Sequence, residues 1–76
     1  MDQDTFKPDS GDLENIFSYH APKNDQPQRY EELRASAKSF AITIVRCCPN
    51  SADRTAAIRK VREAVMTANS SIAINE

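Results

Sequence analysis

The feature that most constrains this chain is a run of apolar residues stepping alternately by three and four. Ile58, Val61, Val65, Ala68 and Ile72 keep that spacing, which places them on one narrow stripe of an α-helix, as in a coiled-coil seam. Ala57, Ala64, Met66 and Ala73 widen the stripe beyond a single seam. Upstream, Leu33, Ala37, Phe40, Ala41, Ile44 and Val45 also recur at helical spacing. Between the two segments stands Pro49-Asn50-Ser51, a stop followed by a start, in which Asn50 or Ser51 can cap the next helix. Two long helices joined by so short a break form an antiparallel hairpin. The single glycine argues against a fold built on many tight turns, and the Ala, Glu, Arg and Ile of the second half suit helices. The fold class is all-α.

The N-terminal third is less regular. Ser10 can cap a short helix in which Leu13, Ile16 and Phe17 share one side, and Pro22 with the polar residues after it ends that element. The first long helix starts near Asp25. Asp25 and Gln28 read as a capping box, with Pro27 tolerated in the first turn. The second long helix lacks the matching acid, because Arg54 stands where its capping box would be completed. This divides the chain into a flexible acidic arm, residues 1–9, and a helical hairpin domain, residues 10–76.

A chain of 76 residues buries only a modest core. A two-helix hairpin covers one face of each helix, and these helices carry more apolar surface than that. The surplus needs a partner, and a second copy of the chain supplies one, so the expectation is a homo-oligomer.

Net charge is −1 and unevenly spread: Asp2, Asp4, Asp9, Asp12 and Glu14 face only Lys7 in the first fifteen residues. An acidic arm on a mildly basic body is not the profile of a DNA or RNA binder. It is compatible with a small anion held at a few positions. No apolar run is long enough for a signal peptide or a membrane span, which points to an intracellular protein with no membrane partner. Cys47 and Cys48 are adjacent, a spacing that suits neither a zinc site nor a disulfide framework, and they read as small apolar residues at a helix end.

Catalytic constellations are scarce. His20 is the only histidine and has no cysteine near it, there is no glycine-rich phosphate loop, and Glu31 and Glu32 sit where carboxylates complement a helix N-terminus. No catalytic residue, metal or cofactor is assigned. The basic run of Arg54, Arg59, Lys60 and Arg62 reads as a solvated face. An aromatic and basic grouping remains. Tyr19 lies in a segment that Pro22 keeps from regular helix, and its ring can offer a face to a nucleobase. Tyr30, Arg34 and Lys38 fall along one line of a helix, where Arg34 presents a planar fork and Lys38 a mobile point charge to a phosphate. The structural alternative makes Tyr19 and Tyr30 satellite-core aromatics and leaves Arg34 and Lys38 solvated. Likewise His20 is a loop residue packed beside Pro22 or a ligand contact. Asn69, one position past the seam at Ala68, fixes helix register or reads a ligand amide or base edge.

Taken in order, Phe17, Tyr19-His20 with Pro22, Pro27, Arg29-Tyr30, Glu32, Arg34, Ala37-Lys38, Cys48-Pro49, Ser51, Ala64-Val65, Ala68-Asn69, Ile72-Ala73 and Asn75-Glu76 resemble a family. It is that of the small phage-encoded hairpin proteins that counter bacterial CBASS and Thoeris immunity, and the nearest likeness is to the anti-CBASS cyclic-oligonucleotide sponges. The resemblance runs from about residue 12 to the end of the chain. It implies a helical protein assembled as a symmetric hexamer in the cytoplasm of the infected bacterial host. Its ligands would be cyclic dinucleotides such as cyclic GMP-AMP, sequestered without cleavage so that the CBASS effector is not activated. Some members of the family also hold cyclic trinucleotides in a separate pocket. By the same resemblance Tyr19 stacks on a base and Lys38 meets a phosphate. The family often has arginine where this chain has Ile74, which bears on the trinucleotide pocket. The acidic arm is expected to point away from an anion site. A different class of function, an oligomeric helical adaptor that binds a host or phage protein through the basic face, predicts no small-molecule binding.

Overall fold

The computed structural model describes residues 10–76; the acidic arm, residues 1–9, lies outside the described residues. Three helices follow in order: α1 (Ser10–Phe17), α2 (Gln26–Cys47) and α3 (Ala52–Asn75). The long helices α2 and α3 pack against each other as a hairpin. The all-α reading and the hairpin hold.

The hairpin loop is built from local chemistry. Cys48, the residue before Pro49, takes an extended conformation (φ −111°, ψ 142°) and its N–H still reaches Ile44 O at 3.0 Å, as expected for the residue ahead of a proline at a helix end. Ser51 is also extended and caps α3, its Oγ accepting from Arg54 N at 3.1 Å. Of the two cap candidates, Ser51 is the one used. Arg54, which breaks the capping box, turns its guanidinium back over the end of α2. It donates to Val45 O (3.3 Å), Cys48 O (3.4 Å) and Asn50 Oδ1 (3.2 Å). Carbonyls that a helix end leaves orphaned thereby gain a cationic donor. Cys47 and Cys48 are free thiols and exposed, so packing does not account for them.

The start of α2 differs from the capping-box expectation. Asn24 has φ 54°, in the left-handed region that asparagine tolerates. It sits in the turn closed by Gln26 N–H to Lys23 O at 2.9 Å. Asp25 follows at φ −90°, ψ 8°, outside the extended region that side-chain capping requires, and makes no cap hydrogen bond. Its carboxylate pairs with Arg29 instead, at 3.2 Å.

The hairpin has almost no interior of its own. Ile44 is the one buried apolar side chain among the described residues, at 8% exposure. All five seam residues of α3 are only half-buried, and Phe40, Ile42, Val45 and Met66 are exposed. In α1, Phe17 is 82% and Leu13 46% exposed, so the apolar side of that helix is uncovered too. The seam predicted from spacing faces α2, but α2 covers only part of it. Such surface is far more than scattered apolar residues on a monomer normally show.

Candidate functional site

The sequence-derived site residues fall on two depressions and one isolated position. Tyr19 and His20 line a surface cleft of about 370 Å³ at the open end of the hairpin, together with Asn15, Lys23, Gln26, Ile74 and Glu76. Arg34 and Lys38 line a groove of about 320 Å³ between α2 and α3, with Arg62, Val65 and Met66. Lys38 also borders an adjoining depression whose walls include Arg46, Ile42, Val45 and Ile58. Asn69 lies in neither; it is half-buried on α3. Within one chain the base-stacking candidate and the phosphate candidate therefore line different clefts.

Tyr19 is 87% exposed and makes no hydrogen bond among the described residues, so it is no part of the interior of a single chain, whereas Tyr30, its companion in the satellite-core reading, is half-buried. The Tyr19 backbone, by contrast, is pinned on both sides. Ser18 Oγ donates to Glu14 O, and His20 Nε2 donates to Asn15 O at 2.7 Å. His20 thus has a structural hydrogen bond as well as a place on the cleft wall. Lys38 is exposed and without an ion-pair partner among the described residues, whereas Arg34 is joined to Glu31 Oε1 at 3.1 Å, both of them exposed. The groove offers cations of Arg34, Lys38 and Arg62 above an apolar floor of Ala37, Ala41, Ile58 and Val61, a surface suited to a planar anion. Asn69 Oδ1 is buried and has no hydrogen-bond partner among the described residues, a state that costs free energy until something donates to it.

Sequence reading assigned no role to the residues that hold the open end together. Glu76 accepts from both Nη atoms of Arg29, at 2.9 Å from Nη1, and from Gln26 Nε2 at 3.2 Å. Lys23 Nζ donates to the main-chain oxygen of Glu76 at 2.8 Å, and Asn15 Nδ2 to Ile74 O at 3.2 Å. Gln26, the one buried polar residue among those described, also accepts from Lys23 N at 3.1 Å. Hydrogen bonds from Arg29, then from Gln26, push the Glu76 carboxyl down from 4.5 to about 2. Bonding to Glu76 pushes the Arg29 guanidinium further up.

Among the described residues no group of histidine, cysteine, aspartate and glutamate side chains could hold a metal ion, and no helix is long and apolar enough to cross a membrane. The fold and its clefts define the class: a small helical hairpin with a short lead-in helix, carrying an exposed aromatic at one end and an apolar groove rimmed by cations. The family model for the Acb2/Tad1 hairpin domain matches residues 9–73, and the chain belongs to that family. The membership agrees with the likeness to the anti-CBASS sponges and supports that general class of function. No curated protein and no solved structure matches the chain.

Proposed function

We propose that this protein sequesters cyclic dinucleotide messengers, of which cyclic GMP-AMP is the representative, in the cytoplasm of the infected bacterial host. It holds them intact, and the CBASS effector is starved of its activator. The observation that carries the reading is the family match across residues 9–73. The chemistry of the two clefts supports it. Tyr19 offers an unobstructed ring face to a base, and Lys38 offers an uncommitted ammonium to a phosphate. Arg34, His20 and Asn69 are the accessory contacts in this reading, and cyclic trinucleotides would need a second pocket that includes the region of Ile74.

The two principal groups meet through assembly. A cyclic dinucleotide has two bases, two phosphates and an approximate dyad, and an interface with two-fold symmetry presents each protein group twice. One copy brings Tyr19 while another brings Lys38; that two-fold contact closes at a dimer, and a second contact about a three-fold axis completes the hexamer. The uncovered apolar surface of α1, α2 and α3 supplies the driving force, at about 25 cal/mol per Å² of apolar area removed from water. Stacking adds about 1–3 kcal/mol per base.

Calorimetry of the wild-type protein with cyclic GMP-AMP tests the reading, followed by denaturation and chromatography of the released ligand. Tight binding and recovery of intact ring are expected. Absence of binding heat would favour the adaptor, and linear products would turn the assignment to a phosphodiesterase.

A further inference from the structure

The cleft that carries Tyr19 is bordered by a residue far away in sequence, Glu76. Residues 18–24 lie between α1 and α2, outside regular helix. They are fastened instead to the last turn of α3 by side chains on either flank. On one flank Asn15 reaches Ile74 O and receives His20 at its own carbonyl. On the other, Lys23, Gln26 and Arg29 all converge on Glu76. We propose that Glu76 is a positioning residue for the ligand site: by gathering Lys23, Gln26 and Arg29 it fixes the Ser18–Asp25 segment and so presents the Tyr19 ring in its binding orientation.

The physical argument is preorganisation. A ring that is 87% exposed has no packing to hold it, so its direction is set by its backbone. A loop ordered only on binding costs affinity, and one ordered beforehand does not. The three donors around Glu76 come from a turn residue and from the first turns of α2, while Glu76 itself closes α3. The Glu76 carboxylate therefore ties the start of α2 to the end of α3, the main-chain oxygen of the same residue takes Lys23 from the lead-in turn, and Gln26 links the two by accepting from Lys23 N. The inference rests on the sponge reading and goes beyond it, since Glu76 need not touch the ligand.

Glu76→Gln removes the charge and keeps the shape, and a thermodynamic cycle with Tyr19→Ala isolates its route of action. Affinity for cyclic GMP-AMP is expected to fall about tenfold in Glu76→Gln, with the oligomer unchanged in sedimentation. Amide exchange should accelerate at residues 18–24 and not at 52–60. In the Tyr19→Ala background the same substitution should change affinity by less than about twofold, because two groups acting through one contact are not additive. Wild-type affinity in Glu76→Gln overturns the proposal and leaves the sponge reading standing. So does a full additive loss in the Tyr19→Ala background, or a loss that tracks dissociation of the oligomer. A wild-type protein that binds no cyclic dinucleotide overturns the sponge reading itself, and the inference with it.

Discussion

The two ends of the hairpin are held by opposite means. At the loop end every bond spans a few residues: Ser51 caps α3, Cys48 closes α2, and Arg54 reaches back nine residues at most. At the open end the bonds that matter join residues 47 to 59 positions apart, from Asn15, Gln26 and Arg29 to Ile74 and Glu76. A local cap forms as soon as its helix does. A long-range latch forms only after α2 and α3 have paired, because the closure entropy of the intervening chain has to be offset first. The loop end is thus held by contacts within its own stretch of chain, and the open end, with Tyr19, depends on the pairing of α2 and α3.

Substitutions can break that contrast or sharpen it. The largest effect belongs to the one buried apolar side chain among the described residues, Ile44 in the last turns of α2. Ile44→Ala should destabilise the protein by about 2–5 kcal/mol in denaturant unfolding, the usual cost of emptying a buried aliphatic site. It should loosen both ends together. Next come the ligand groups: Tyr19→Ala and Lys38→Ala should each weaken cyclic GMP-AMP binding at least tenfold in calorimetry while leaving the oligomer intact, the former through loss of about 1–3 kcal/mol of stacking per base. Unchanged affinity in both would remove the open end from the site. Ser51→Ala should cost about 1 kcal/mol through the lost cap, with faster exchange at the start of α3 and none at residues 18–24.

The smallest effect is an acid titration of the latch. A carboxyl whose folded pKa lies below its unfolded value contributes stability that is complete above the unfolded value and is lost as pH falls through the folded one. For Glu76 that window runs from 4.5 down to about 2. Tyrosine fluorescence or residue-resolved exchange at 18–24 should change across it, and Glu76→Gln should abolish the step. At neutral pH the latch is fully ionised and should show no pH dependence.

The contrast also explains what could be read from sequence. Pro49 and Ser51 announce the loop because their effects fall on adjacent residues, and the three-four spacing of Ile58 to Ile72 announces α3 because periodicity is local. Asp25 misleads for a local reason too: Asn24 adopts a positive φ, and the next residue is carried out of capping geometry. The role of Arg54 is invisible as a motif, since it serves the preceding helix rather than its own. The latch of Glu76 with Gln26 and Arg29 carries no periodic signal, because these partners lie about fifty positions apart; Glu76 enters only as one of the residues on which the family resemblance rests. For the candidate site, sequence alone left Tyr19 between core and ligand. Its exposure takes it out of the interior of a single chain, and Tyr19 and Lys38 line different clefts of that chain, so their grouping belongs to the proposed assembly.

A hairpin in which Ile44 is the only buried apolar side chain among the described residues has a further consequence under the proposed assembly. Its folded population is governed by its own concentration, because each copy completes the interior of another. Under that assembly a dilute chain should be open to proteolysis and should become resistant only as copies accumulate. Binding capacity should therefore rise more steeply than protein number, giving the protein a threshold of expression below which messenger passes and above which it is retained.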